Sequence, residues 1–77
     1  MKMQRHRNAA VYEYLDDADY YMLTLRKDPD GFWRAETFVN GMSFGCVCAA
    51  TREDCYEDAV DNVMSEMSDR HAEELTR

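Results

Sequence analysis

Glycine is scarce in this 77-residue sequence, with three residues, and proline scarcer still, with one. Three separated glycines, Gly31, Gly41 and Gly45, cannot form the run of backbone amides that cradles a nucleotide phosphate. With no Pro-, Gly- or Ser-rich stretch there is no linker to divide the chain. Cysteine is limited to Cys46, Cys48 and Cys55, an odd number that suits no closed disulfide framework. No run approaches 18 consecutive apolar residues, which excludes a membrane-spanning helix. The basic start is not followed by an apolar stretch, so a secretory leader is not expected. These absences point to one reduced, cytoplasmic domain spanning residues 1–77, with residues 1–8 loosely ordered.

A domain this short buries only roughly 60–65% of the surface its unfolded chain exposes, which leaves a modest core and little room for a deep pocket. Its charge is uneven. Lysine and arginine number 9 against 16 aspartates and glutamates, for a formal charge of −7. Lys2, Arg5 and Arg7 crowd the first ten residues, which hold no acid, so the remainder is more acidic than the total. Such a body repels nucleic acid and favours basic partners. Acidity that only maintains solubility is the plainer reading of the same numbers.

Apolar periodicity gives the architecture. From Tyr20 to Lys27, Tyr21, Leu23 and Leu25 alternate with Tyr20, Met22, Thr24 and Arg26, the period of a strand. Asp28-Pro29-Asp30-Gly31 has turn chemistry: proline is preset for the second position and glycine accepts a positive φ. A second strand is expected over Phe32–Val39. Asn40-Gly41 supplies the two positive-φ residues that a type I′ hairpin needs, and a third strand is expected over Met42–Ala50. Thr51-Arg52-Glu53-Asp54 reads as a helix start, with the threonine hydroxyl as cap and two acids at the positive end of the dipole. Cys55, Ala59, Val63 and Met67 then recur every fourth residue, with Tyr56, Val60 and Met64 beside them, as in an amphipathic helix of four or more turns. Beyond Asp69 the pattern fades and fraying is expected. Residues 9–16 suit a short helix through Ala9, Ala10 and Leu15, or an extra strand through Tyr12 and Tyr14; the helix is the preferred reading. The expected fold class is α+β: a three-stranded antiparallel meander packed on a long C-terminal helix, with a short N-terminal helix or extra strand.

Catalytic and metal chemistry find little support in the pattern. Cys46 and Cys48 would share one strand face, but tetrahedral zinc needs two more ligands, and Cys55 and His71 do not stand at zinc spacings. Buried core thiols are the better reading of these cysteines. Cys55 lies among Glu53, Asp54, Glu57 and Asp58, a field that opposes the thiolate a nucleophile requires. His6 and His71 lie in the most polar parts of the chain and read as solvated. Asp28 and Asp30 lack the later ligands of a calcium loop and fit a turn. Neither G-x-S-x-G nor H-E-x-x-H occurs. No metal, cofactor or enzymatic activity is expected.

What stands out is the distribution of carboxylates. At about 100° per residue, Glu53, Asp54, Glu57, Asp58 and Asp61 fall on one arc opposite the Cys55–Val63 stripe, with no basic residue between 53 and 61. Like charges at i, i+4 cost a few tenths of a kcal/mol per pair, a cost that interspersed signs would remove. A second cluster, Glu13, Asp16, Asp17 and Asp19, precedes the first expected strand. Both clusters are candidate partner-binding surfaces, and an ordinary solvated helix face is the competing reading. Nine aromatic residues exceed what one covering helix can bury, so some are expected at a binding or homodimer surface.

Two resemblances bear on function. Strand residues 22–50 and the helix start resemble the partial RNase-H-like domain of HicB-type antitoxins, through Asp30-Gly31-Phe32-Trp33-x-Ala35, Gly45 and Thr51-Arg52-Glu53-Asp54-Cys55-x-x-x-Ala59. That family's proline-containing segment before the glycine is missing here. The DNA-binding domain that usually follows is missing too, so autoregulatory DNA binding is not expected. In size, charge and lack of a catalytic constellation the chain is similar to small acidic phage-encoded inhibitors of the anti-CRISPR kind. That resemblance implies carboxylates that engage the Lys/Arg surfaces effector complexes use for DNA or guide RNA, within the host cytoplasm. The expectation is therefore a non-enzymatic inhibitor with a DNA-mimicking acidic face, binding a basic protein surface and neither nucleic acid nor membrane. The alternatives are a HicB-like antitoxin domain that neutralises a small RNase toxin, and a structural dimerisation subunit.

Overall fold

The computed structural model describes residues 3–5 and 10–75, with side chains through residue 73. Its architecture is α+β, one antiparallel sheet and one helix. Strands β1 (Gln4–Arg5), β2 (Val11–Leu15), β3 (Tyr20–Lys27), β4 (Trp33–Val39) and β5 (Met42–Ala49) lie in chain order across the sheet, and helix α1 (Arg52–Leu75) follows. Each strand pairs antiparallel with its sequence neighbour.

The meander is thus longer than the three strands expected, because residues before Tyr20 extend it. In place of the helix preferred for 9–16, Val11–Leu15 form a strand, and Ala9 lies outside the described residues. Tyr12 stands opposite Leu23 and Tyr14 opposite Tyr21, so both tyrosines face α1. Tyr12 is buried and its ring lies 4.6 Å from that of Tyr56. Burying one large side chain stabilises by about 1.5–3 kcal/mol, which outweighs helix-propensity differences of a few tenths per residue. Leu15, which supported the helix, is 77% exposed. Of the segment 1–8, expected to be loose, Met3 is buried and Gln4 and Arg5 pair with β2; the rest lies outside the described residues.

Local chemistry sets each turn. The Asp16 N–H donates to the Asp19 carbonyl at 2.9 Å, closing the β2–β3 connection. At the β3–β4 turn the Gly31 N–H donates to the Asp28 carbonyl at 3.0 Å, and Gly31 takes φ 93°. Asn40 and Gly41 carry φ 51° and 85°, the paired positive values of a type I′ turn. Opposite Thr37 and Phe38 of β4 the register shifts, so Phe44 of β5 is an extra residue without a partner in β4; it packs toward the core.

One face of the sheet is covered. Tyr21, Leu23, Leu25, Ala35 and Val39 pack under Cys55, Ala59, Val60 and Val63 of α1. Thr51 caps the helix, its hydroxyl accepting from the Asp54 N–H at 3.1 Å. Helix and sheet stand close at Gly45. Asn62 donates through Nδ2 to Thr37 Oγ1 at 2.9 Å, and that hydroxyl donates to the Gly45 carbonyl at 3.1 Å. A Cβ at residue 45 would overlap Asn62 Nδ2. The helix continues through the region where fraying was expected, to Leu75. Arg70 reaches Asp19 at 2.9 and 3.1 Å and ties that part of the helix to the β2–β3 turn.

Candidate protein-binding face

Glu53, Asp54, Glu57, Asp58 and Asp61 are all exposed on the side of α1 turned away from the sheet. The stripe formed by Cys55, Ala59, Val60 and Val63 is buried, which fixes the helix rotation and forces the intervening acids outward. Eight steps of about 1.5 Å rise, from residue 53 to residue 61, place these five carboxylates along about 12 Å of helix. Among the described residues none of the five takes part in an ion pair. The arginines of the β3–β4 hairpin do not reach them: Arg26 and Arg34 both turn to Asp28, at 3.8 and 3.3 Å.

Beside the array runs a shallow groove of about 430 Å³ lined by Tyr56, Glu57, Val60, Asp61 and Met64. Met64 is 41% exposed and supplies a flexible apolar surface next to the carboxylates. Charge bordered by an apolar strip is what a protein partner engages with both a steering field and a dry contact.

The second acidic cluster is not assembled as one surface. Glu13 lies half-buried on the open sheet face and accepts from the Tyr20 hydroxyl at 2.7 Å, which with burial pushes the Tyr20 phenol up. Asp16 meets His71 Nε2 at 2.8 Å, and Asp17 is exposed, its N–H donating to Asp16 Oδ1. Asp19 is buried. Hydrogen bonds from Arg70 and Asn40 hold its carboxyl below the usual range, against the opposing cost of desolvation. Asp19 is a strut, because the turn it occupies folds under α1. That fact depends on packing 51 residues away in sequence. His71, expected to be solvated, is half-exposed and shares this corner, while His6 lies outside the described residues.

The cysteines divide differently from expectation. Cys46 and Cys48 are exposed, not core thiols. They alternate with Val47, which faces α1, so both lie on the sheet face that no second layer covers among the described residues. Cys55 is fully buried, and desolvation first, then neighbouring negative charge, pushes its thiol up. A nucleophile would need the opposite shift. Among the described residues no cluster of His, Cys, Asp or Glu could hold a metal ion. No helix among them is long and apolar enough to cross a membrane.

A feature the sequence did not signal lies between β1, β2 and the helix start, a groove of about 820 Å³ lined by Met3, Gln4, Arg5, Tyr12, Arg52, Glu53 and Tyr56. Arg52 stands over Tyr12 at 5.7 Å and Trp33 at 5.9 Å, and its Nη2 donates to the Tyr12 hydroxyl at 2.9 Å. Arg5 approaches the same ring at 5.9 Å. These residues are far apart in sequence; the pairing of β1 with β2 and the packing of α1 against Tyr12 bring them together.

Comparison of the chain with protein-family models, curated proteins and solved structures yields no match. The reading of function rests on the geometry.

Proposed function

We propose that this domain is a non-enzymatic, anti-CRISPR-like inhibitor that docks the outer face of α1 onto a basic, nucleic-acid-binding protein surface and excludes DNA by competition. One observation carries the reading: five carboxylates stand exposed over residues 53–61, and no ion pair among the described residues neutralises them. Glu53 with Glu57, Asp54 with Asp58, and Glu57 with Asp61 repel at i, i+4, each pair costing about 0.2–0.5 kcal/mol. An array held at that cost suits a surface that meets cations. The second cluster contributes Asp17 at most, since Glu13, Asp16 and Asp19 are committed to Tyr20, His71 and Arg70.

The test uses purified CRISPR effector complexes and the fluorescence anisotropy of a labelled target duplex. Wild-type domain lowers the anisotropy at low ionic strength and loses potency as salt screens the contact. The variant with Glu57→Lys, Asp58→Lys and Asp61→Lys keeps its fold, because all three side chains are exposed, and loses inhibition. Equal inhibition by wild type and variant, or none by wild type across the panel, would end this proposal. The order β3–β4–β5–α1, carrying the residues that resemble HicB-type antitoxins, favours a second reading as an antitoxin domain. Co-purification with one small basic RNase, and loss of its RNA cleavage on mixing, would select that reading.

A further inference from the structure

Strand β5 closes one side of the sheet, and among the described residues nothing pairs with its outer edge. Exposed edges are normally blunted by lysine or other charge, by proline, by a bulge, or by very short length. Met42–Ala49 has eight residues, none charged and none proline. Its one irregularity is at Phe44, so Gly45–Ala49 runs as a regular strand. The opposite edge, β1, has two residues and ends in Arg5. Among the described residues the two edges therefore differ, and β5 is the one that presents a ready template.

The sequence at the centre of that template reads the same in both directions: Cys46-Val47-Cys48. Both cysteines are exposed, and both lie on the open sheet face. Antiparallel pairing of two β5 strands about Val47 sets Cys46 of each copy opposite Cys48 of the other. Directly opposed residues in such a ladder have Cα atoms about 4.5–5.5 Å apart. The small residues Gly45 and Ala49 oppose each other on the helix side.

We propose that two copies of this chain join edge to edge through β5, in the register centred on Val47, to form one continuous ten-stranded antiparallel sheet. The proposal stands independently of the α1 reading. The two-fold axis places both helices on the same side of the joined sheet, with acidic arrays of like sign on one face. Salt screens their repulsion, so the dimer tightens as ionic strength rises. That dependence is opposite to the one expected for a basic partner on α1.

Two measurements test it. Light scattering after size exclusion, in reductant and at about 100 μM, is expected to give twice the 9.0 kDa chain mass for wild type and for the variant with Cys46→Ser and Cys48→Ser. The variant with Cys46→Lys and Cys48→Lys crowds four ammonium groups at the two-fold axis and is expected to run as a monomer with an unchanged far-ultraviolet spectrum. Diamide oxidation then reads the register. C46S alone and C48S alone are expected to give no covalent dimer, while their mixture cross-links through Cys48 of one copy and Cys46 of the other. A monomeric wild type, a dimeric double-lysine variant, or single variants that cross-link as well as their mixture would each overturn the proposal.

Discussion

Replacing Gly45 with alanine tests the close contact on which the helix packing depends. The added methyl group would enter the space of Asn62 Nδ2 and lie 3.1 Å from Thr37 Oγ1. Asn62 is half-buried and donates to Thr37 at 2.9 Å, so it must either give up that bond or push α1 outward. Overpacking of this kind costs about 1–3 kcal/mol, and a lost hydrogen bond costs about 0.5–1.5 kcal/mol. Alanine regains roughly 0.5–1 kcal/mol of backbone entropy over glycine in a strand. The net expectation is a loss of about 2 kcal/mol, which for a urea slope of about 1 kcal/mol/M lowers the unfolding midpoint by about 2 M. In an Asn62→Ala background the obstacle is gone, and Gly45→Ala becomes neutral or stabilising by up to about 1 kcal/mol. The two changes therefore couple by about 2–3 kcal/mol in a double-mutant cycle. Equal cost of Gly45→Ala in both backgrounds would refute the argument that Asn62 is what requires glycine at 45.

Other substitutions check separate parts of the account. Asp19 has its pKa lowered by Arg70 and Asn40 from an ordinary 3.8, so it contributes stability above that pH, lost as pH falls through the folded value. Urea melts between pH 6 and pH 2 should show the advantage of wild type over Asp19→Asn shrinking in acid; a constant difference would contradict the ion pair. The Tyr21 hydroxyl is buried without a hydrogen-bond partner among the described residues. Tyr21→Phe should leave the melting temperature unchanged or raise it, by up to about 1 kcal/mol of stability, and a clear loss would mean the hydroxyl is bonded. Asn40 sits at φ 51° and its side chain serves Tyr20 and Asp19. Thermal melts should therefore rank Asn40→Ala below Asn40→Gly, since alanine in the left-handed region costs about 1–2 kcal/mol; the reverse ranking would reject the turn assignment.

The sequence by itself determined the elements whose signals are local. Alternation placed Tyr21, Leu23 and Leu25 on one face, Asn40-Gly41 marked the tight hairpin, and Thr51 marked the helix start, because each depends on a few neighbouring residues. The outward arc of Glu53, Asp54, Glu57, Asp58 and Asp61 was legible for the same reason, since helical periodicity assigns the acids to the side opposite the apolar stripe. Tertiary structure decided the rest. Whether Val11–Leu15 became helix or strand turned on the burial of Tyr12 against Tyr56, which local propensity does not contain. Cys46 and Cys48 looked like core thiols by residue type, yet both are exposed on the face of the sheet opposite α1. Asp19 resembled the acids beside it until the fold brought Arg70 to it, and Gly45 is required because Asn62 of α1 occupies the space a Cβ would take. Contacts between distant residues set these outcomes, and a short-range pattern carries no record of them.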